Sequence, residues 1–361
     1  MDNVYYLVDG MWHEKEACLN AGNKAREDVN EILDQLGFFR VDAAERSDVF
    51  RNGMVGKSRS HFDRADIIRS AVASVPDGAI LFVQFPLVLH TVFFTGVMRA
   101  AQRRGVKVVL LLHDVELLRS ARVNQTGFLG KIRITVEERS ALAQCDAIVV
   151  HNESMAKCLA SECGIRSEKM VSLDLFDYLC NEDGFRAATD VDDSIVVAGN
   201  LSPLKAEYLY GLADIVSVRA YGVGLDEKRP NKIEYVGAFD PRELPSKMRG
   251  SFGLVWDGPD TGTCSGAFGE YLRVNNPHKT SLYLASGLPV MIWEHAALAA
   301  LVKESGCGVT VSSLSDVPES IGRLGEKEYA SMVASAQELG AKVREGFFTR
   351  RMVDRVLEVL A

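Results

Sequence analysis

A loop, a short helix and a strand follow one another in the stretch Gly269-Glu-Tyr-Leu-Arg-Val-Asn-Asn-Pro-His-Lys-Thr-Ser-Leu-Tyr-Leu-Ala-Ser-Gly-Leu-Pro-Val-Met-Ile-Trp293. Asn276 suits the N-cap position, and Pro277 suits the first helical position because its missing N–H would be unpaired there anyway. Gly287 suits the left-handed residue that ends a helix, and the apolar run from Pro289 to Trp293 predicts a strand. The sequence therefore predicts a short helix with both ends marked.

Two basic side chains, His278 and Lys279, fall in the first turn of this predicted helix. The helix dipole disfavours cations there, whereas the unpaired N–H groups of the first turn attract an anion. A lysine beside such N–H groups therefore predicts a phosphate site, and the glycine-rich segment from Gly258 to Gly269 is able to fold over the ligand. The alternative is a solvated lysine on a surface helix.

A second buried strand, Phe252-Gly-Leu-Val-Trp-Asp257, ends in a carboxylate. Ligands of open α/β sheets bind at the carboxyl ends of such strands. Together, the segments Gly253–Gly258 and Asn275–Val290 resemble the bacterial β-1,6-galactofuranosyltransferases and the related glucosyltransferases of adhesin glycosylation. This resemblance implies a nucleotide-sugar enzyme of GT-B architecture: two doubly wound, Rossmann-like α/β domains facing a cleft, with a C-terminal helix that crosses back to the first domain.

Length and composition fit this architecture. The chain has 361 residues, 47% of them hydrophobic, which is enough for two α/β domains with separate cores. The formal net charge of −8 argues against a nucleic-acid partner. The seven cysteines form no Cys-x-x-Cys pair, so we interpret them as reduced thiols. The N-terminus lacks the basic region of a signal peptide, so we interpret it as a first strand and predict a cytoplasmic protein.

Strands and helices alternate from the N-terminus onward. The predicted strands of the first half are Val4–Val8, 79–85, 106–112 and 146–150, and helical patterns lie between them. The apolar stretch 79–98 is about as long as a membrane span, but Pro86 divides it into a strand and a helix. Contact with the inner face of a membrane remains open. The alternation predicts a parallel, doubly wound sheet.

The tripeptide Gly56-Lys57-Ser58 is reminiscent of a P-loop. That motif needs a glycine at position 51, where this chain has Arg51, and a strand leading into it, which is not predicted. We therefore exclude an ATPase and interpret residues 51–58 as a mobile surface loop.

A second alternation follows an acidic connection at 174–193. Its predicted strands are 194–198, 215–220, 233–235, 252–257, 289–293 and 308–311. We predict three parts: an acceptor-side Rossmann-like domain at 1–180, a nucleotide-sugar-binding Rossmann-like domain at 181–345, and a C-terminal helix at 346–361 that packs on the first domain. The sequence leaves open whether the protein forms a homo-oligomer.

Another strand end followed by a cation occurs at Ala198-Gly-Asn-Leu-Ser-Pro-Leu-Lys205. Lys205 and Lys279 are therefore predicted to hold one diphosphate. The resemblance implies donor contacts from Gly199, Asn200 and Lys279, and it places another at Tyr235. The full predicted donor set is Gly199, Asn200, Lys205, Tyr235, Asp257, Asn276, His278 and Lys279.

A base for the acceptor hydroxyl is expected on the first domain, because the second domain holds the nucleotide. Asp114 is the first candidate and His113 the second, with Asp9 and Gly10 on the acceptor side. A structural, hydrogen-bonded His113 and a helix-capping Asp114 are equally open.

Glycosyl transfer needs positive charge at the departing diphosphate, from side chains or from a metal. The one Asp-x-Asp sequence, Asp190-Val-Asp192, precedes a strand instead of ending one. We therefore predict neither a metal nor a cofactor beyond the UDP-sugar donor.

The predicted function is an inverting, metal-independent transfer of galactofuranose or glucose from a UDP-sugar to a saccharide or glycosylated carrier. The alternative is a non-catalytic, nucleotide-sugar-binding partner subunit. A dinucleotide oxidoreductase is excluded because no Gly-x-Gly-x-x-Gly follows a strand.

Overall fold

The computed structural model describes residues 3–9, 21–43, 54–89, 91–120, 128–180, 194–226, 228–229 and 231–361. Contacts divide the chain into two compact units. The first contains the initial strand, Val29–Leu173 and Thr349–Ala361. The second contains Asp174–Phe348 and the N-terminal stretch that ends at Asp28. Residues 174–180, placed in the first domain from sequence, thus make their contacts within the second unit.

The first unit is built on a six-stranded parallel sheet in the order β2-β1-β3-β4-β5-β6. Its strands are β1 (Val4–Val8), β2 (Phe39–Asp42), β3 (Ile80–Phe85), β4 (Lys107–Leu112), β5 (Ala147–Val150) and β6 (Met170–Ser172). The helices along this part of the chain are α1 (Ala21–Gln35), α2 (Met54–Ala73), α3 (Phe94–Gln102), α4 (Glu116–Ser120), α5 (Phe128–Gln144) and α6 (Glu153–Cys163).

The second unit is built on another six-stranded parallel sheet, in the order β12-β11-β10-β7-β8-β9. Its strands are β7 (Ser194–Asn200), β8 (Ser217–Val223), β9 (Glu234–Gly237), β10 (Phe252–Val255), β11 (Val290–Trp293) and β12 (Gly308–Val311). Its helices are α7 (Pro203–Ala206), α8 (Tyr208–Leu212), α9 (Leu244–Lys247), α10 (Gly266–Tyr271), α11 (His278–Ala285), α12 (Ala299–Glu304), α13 (Val317–Gly322) and α14 (Glu326–Arg344).

The C-terminal helix α15 (Phe347–Leu360) starts in the second unit and belongs to the first from Thr349 onward. Arg355 of this helix donates to the carbonyl oxygen of Ser172, at the end of β6, at 3.3 Å. The predicted pair of doubly wound sheets and the return of the last helix are thus confirmed.

The central strands are buried on both faces. In β4, the residues from Val108 to Leu112 are almost completely inaccessible, as are all four residues of β10 and of β11. Parallel strands covered by helices on both sides need such continuous apolar runs, which explains why the sequence shows little alternation there.

Residues 54–58 begin helix α2, so the interpretation of 51–58 as a mobile loop is wrong for them, and residues 51–53 lie outside the described part of the chain. The apolar stretch 79–98 does divide at Pro86, into β3 and α3. Within the described ranges, no helix has both the length and the apolar composition to cross a bilayer.

Candidate active site

The strand order of the second unit reverses direction between β7 and β10. The chain runs from β7 outward to β8 and β9 and then returns to place β10 on the opposite side of β7. At such a switch point the connections leave in opposite directions, so a crevice forms at the carboxyl ends of the two strands. A ligand site is therefore expected among the residues that follow β7 and β10.

Tyr283 of α11 fixes the geometry of this switch point. The two strands pair only at Ile195–Phe252 and Val196–Gly253. Beyond these pairs, the Tyr283 hydroxyl accepts from the N–H of Ala198 at 2.9 Å and donates to the carbonyl oxygen of Leu254 at 3.1 Å. It thereby satisfies one backbone group on each strand where they part, and it holds α11 against both.

Lys279, one turn earlier on α11, reaches the end of β10. Its Nζ donates to the carbonyl oxygen of Trp256 at 2.9 Å and to Oδ1 of Asp257 at 2.7 Å. The Lys279 side chain is 12% exposed and that of Asp257 only 6%. Burial lowers the pKa of Lys279, and the adjacent Asp257 carboxylate opposes that shift.

Lys205 of α7 completes this group, with its Nζ 4.0 Å from Oδ2 of Asp257 and its side chain 30% exposed. The structure thus brings together Lys205, Asp257 and Lys279, which are more than 20 residues apart in sequence. An ammonium group has three N–H donors, and Trp256 and Asp257 take two from Lys279. Two ammonium groups beside one carboxylate leave a formal excess of one positive charge, which suits an anion such as a diphosphate.

The same unit contains an open pocket at the carboxyl ends of β7, β8 and β9. Its volume is about 470 Å³ when the space open to solvent is included. The lining residues are Tyr178, Gly199, Asn200, Tyr221, Gly222, Val223, Ala238, Phe239, Pro241, Leu244 and Leu282. The predicted residues Gly199 and Asn200 are among them, and aromatic and aliphatic side chains supply most of the rest.

Gly199 has a φ of 115°, and a Cβ placed there would meet no atom within 4 Å. The backbone therefore leaves open space where a side chain would otherwise project. The Asn200 side chain accepts from the N–H of Ser202 at 2.9 Å and so shapes the turn toward Lys205. The Tyr235 hydroxyl donates to the carbonyl oxygen of Gly222 at 2.8 Å, and Tyr235 is not among the lining residues.

The opposite side of α11 binds a different partner, the segment Asp174–Cys180, which we call the strap. Three side chains donate to its carbonyl groups: Asn276 Nδ2 to Asp174 at 3.0 Å, Ser281 Oγ to Phe176 at 2.6 Å, and His278 Nε2 to Asp177 at 3.1 Å. The structure therefore does not bring Asn276 and His278 to the lysine cluster, although both were predicted as donor contacts.

The predicted N-terminus of α11 is wrong by one residue. Pro277 has an extended ψ of 124° and occupies the N-cap position, and the helix begins at His278. The side-chain amide nitrogen of Asn276 instead donates to the carbonyl oxygen of Asp174, a residue with a left-handed φ of 70°. Gly287 has the predicted left-handed conformation, with a φ of 72°.

The glycine-rich segment after β10 packs against the end of that strand. A Cβ at Gly258 would lie 2.3 Å from the carbonyl oxygen of Ser265, so the absence of a side chain permits this close backbone approach. The indole N–H of Trp256 donates to the carbonyl oxygen of Asp260 at 2.9 Å and holds the same turn.

In the first unit, His113 follows β4 and joins a chain of polar side chains. Its Nε2 lies 2.5 Å from Oε1 of Gln84, whose amide nitrogen donates to Oδ1 of Asn30 at 2.7 Å. Because the Gln84 oxygen can only accept, Nε2 of His113 carries the hydrogen. Asp114 is half-exposed, and its Oδ2 lies 3.8 Å from the Arg119 guanidinium.

Asp9 lies at the switch point of the first sheet, between β1 and β3. It is buried, and its Oδ2 accepts from the N–H of Leu89 at 3.0 Å. The neighbouring candidate, Gly10, lies outside the described residues.

Glu138 of α5 was not predicted as a site residue. It is buried, and its two carboxyl oxygens accept from the N–H groups of Glu116 at 3.0 Å and Leu117 at 2.7 Å, the first turn of α4. Burial raises the pKa of Glu138 to about 7. Since α4 begins two residues after Asp114, this carboxyl group fixes the backbone that carries the candidate base. In the sequence it is indistinguishable from a solvated helix residue.

Within the described part of the chain, no three His, Cys, Asp or Glu side chains are grouped to hold a metal ion. Asp190 and Asp192, the Asp-x-Asp pair considered above, lie outside the described residues.

Two family models together match most of the chain. Residues 12–175 match the family model described as the glucosyltransferase 3-like N-terminal domain, and residues 195–356 match the corresponding C-terminal domain. The chain is 34% identical over 258 residues to β-1,6-galactofuranosyltransferase WbbI of Escherichia coli (strain K12), covering 70% of this chain and 72% of the relative. It is 25% identical over 339 residues to glucosyltransferase 3 of Streptococcus gordonii, covering 93% and 94%.

Solved structures share the fold at low identity. The structure of HepE from Anabaena in complex with UDP-glucose has a TM-score of 0.59 at 13% identity. The match covers 99% of this chain and 98% of HepE. A UDP-forming α,α-trehalose-phosphate synthase from Burkholderia vietnamiensis has a TM-score of 0.59 at 11% identity, with 98% of each chain covered.

The contacts of His278 predict how it responds to pH. Its Nδ1 is buried without a hydrogen-bond partner, and burial lowers the pKa of the ring to about 4. A lowered pKa means that the folded protein binds the proton less well than the unfolded chain, whose histidine titrates near 6.5. The stability that neutral His278 contributes should be complete above pH 6.5 and should be lost as the pH falls toward 4.

We therefore expect the free energy of unfolding of the wild type, relative to that of His278→Gln, to fall by up to about 3 kcal/mol between pH 6.5 and pH 4. Glutamine retains a donor for the Asp177 carbonyl but does not titrate. Urea unfolding of both proteins across this range measures the difference, and a constant difference would contradict a buried, neutral His278.

Proposed function

This chain belongs to the glucosyltransferase 3-like family of bacterial glycosyltransferases, and on that premise we propose that it transfers a hexosyl group from a UDP-sugar to a saccharide or glycosylated carrier. The hexose we propose is galactofuranose or glucose, the sugars named for its relatives. The Lys205–Asp257–Lys279 cluster at the switch point of the second sheet is the observation that carries this proposal.

The donor nucleotide would occupy the second unit. We take the donor class from the UDP-glucose named for the structure of HepE. The diphosphate would lie against Lys205 and Lys279, and the base would enter the pocket lined by Gly199, Tyr221 and Phe239. The N–H groups at the start of α11 would support the same anion. The non-catalytic alternative is set aside, because the named relatives are transferases.

The reaction needs positive charge that is in position before the bond breaks. As the bond between the sugar and the diphosphate breaks, negative charge grows on the departing diphosphate. Asp257 orients Lys279, so the ammonium group does not have to reorganise when that charge develops. The acceptor hydroxyl must lose its proton, and we propose Asp114 or His113 of the first unit as the base for an inverting transfer.

Removal of either lysine should weaken UDP binding. We expect Lys205→Met and Lys279→Ala each to cost about 1.5–3 kcal/mol of affinity, the usual value of a hydrogen bond to a charged group. This corresponds to an increase in Kd of roughly 10- to 150-fold, measurable by titration calorimetry.

Lys205→Met is the cleaner variant, since it leaves Asp257 paired with Lys279, whereas Lys279→Ala leaves a buried carboxylate without its nearest partner. Lys232→Met, which removes an exposed lysine paired with Asp214 in the same unit, is the matched control. Unchanged UDP affinity in both site variants would refute the diphosphate assignment.

We further expect turnover to survive an excess of EDTA, because lysines and helix N–H groups supply the positive charge. The assay compares initial rates with and without the chelator. Activity that EDTA abolishes and Mn²⁺ or Mg²⁺ restores would mean that a metal contributes, with Asp190 and Asp192 the first ligands to test.

Replacement of the base should lower turnover and leave donor binding intact. A general base typically contributes 10²- to 10⁴-fold in rate, so we expect a loss of about that size from Asp114→Asn, with UDP affinity close to that of the wild type. His113→Asn is measured beside it, and Asp66→Asn, on the exposed side of α2 in the same unit, is the control. If both site variants retain full turnover, the base lies elsewhere and Asp9 is the next candidate.

A further inference from the structure

A lysine and an aspartate are buried together on α1, in the part of that helix that belongs to the second unit. The Lys24 and Asp28 side chains are only 2% and 1% exposed, and they form an ion pair one helical turn apart. Burying two charges costs more than burying apolar side chains of similar volume, so stability alone is a weak reason for such a pair. Its contacts suggest a positional role instead.

The pair binds both backbone groups of a single residue, Leu179, in the strap. Lys24 Nζ donates to the Leu179 carbonyl oxygen at 2.5 Å, and Asp28 Oδ2 accepts from the Leu179 N–H at 3.1 Å. The Lys24 ammonium group also lies 4.6 Å from the centre of the Tyr178 ring, within range of a cation–π interaction. One helical turn of α1 therefore fixes the position and the orientation of the last part of the strap.

Tyr178 connects the Lys24–Asp28 pair to the pocket. Its ring lines the pocket and is stacked on His278 of α11, with the ring centres 4.9 Å apart. Its hydroxyl donates to the carbonyl oxygen of Pro241 at 2.8 Å. Pro241 also lines the pocket, in the loop that follows β9 and includes Phe239. The contacts thus run without a gap from Lys24 and Asp28, through Tyr178, to the loop that borders the pocket.

We propose that Lys24 and Asp28 are positioning residues for the nucleotide pocket, acting through Tyr178 to hold the loop that contains Phe239 and Pro241 in the shape that binds the base of the donor. This inference rests on the proposed function, because it assumes that the pocket receives a nucleoside diphosphate. A residue with this role should change the affinity for the donor and its KM, whereas kcat at saturating donor should be retained.

The pair should be converted to apolar residues of similar volume in the double variant Lys24→Met/Asp28→Leu, which leaves no unpaired buried charge. We expect the Kd for UDP and the KM for the donor to rise at least tenfold and kcat to change less than threefold. The matched control is Lys342→Met/Glu338→Leu, which removes an exposed ion pair of the same spacing on α14 and should leave all three values unchanged.

Tyr178→Phe tests the contact between Tyr178 and the loop that contains Pro241, and it leaves the Lys24–Asp28 ion pair in place. It removes only the hydroxyl that binds Pro241, and we expect the Kd for UDP to rise three- to tenfold. This variant decides the matter if the double variant fails to fold. UDP affinity equal to that of the wild type in Tyr178→Phe, or in a folded double variant, would overturn the inference. If the wild type itself does not bind UDP, the proposed function fails, and this inference fails with it.

Discussion

The hydroxyl group of Tyr283 holds the candidate site open. A parallel sheet normally satisfies its backbone groups by pairing strands along their length, yet β7 and β10 separate after two residue pairs. Separation leaves an N–H on one strand and a carbonyl on the other, both buried, and an unsatisfied buried polar group is costly. Tyr283 satisfies both. Because the same residue belongs to α11, the separation of the strands and the placement of Lys279 are parts of one arrangement.

The two sides of α11 make different contacts. One side presents Lys279 to Asp257 at the end of β10, so a charge that would be costly to bury alone is paired and oriented before a ligand arrives. The other side binds the strap through Asn276, His278 and Ser281. Burial keeps His278 neutral near pH 7, so α11 itself contributes no positive charge on the side that faces the strap.

The features that depend on local sequence could be predicted. Those that depend on contacts between residues far apart in the sequence could not. The apolar runs, the glycine after α11 and the lysine in its first turn are local signals, and they predicted the two sheets and the Lys279–Asp257 neighbourhood. The start of α11 was misplaced because the Asn276 side chain serves a partner 102 residues away, which no local preference reveals. The strap was interpreted as part of an acidic connection, although it also contains Leu175, Phe176, Tyr178 and Leu179, which are buried in the structure. Lys24 and Asp28 have the pattern of an exposed helical ion pair, and only the fold shows that they are buried and bind the backbone of Leu179.

The most direct test is a crystal structure determined with UDP bound. We predict diphosphate oxygens within about 3.5 Å of Nζ of Lys205 or Lys279, and the uracil ring in the pocket at the ends of β7, β8 and β9. A diphosphate bound away from both lysines, or a nucleotide bound to the first unit, would contradict the assignment of the donor site to the switch point of the second sheet.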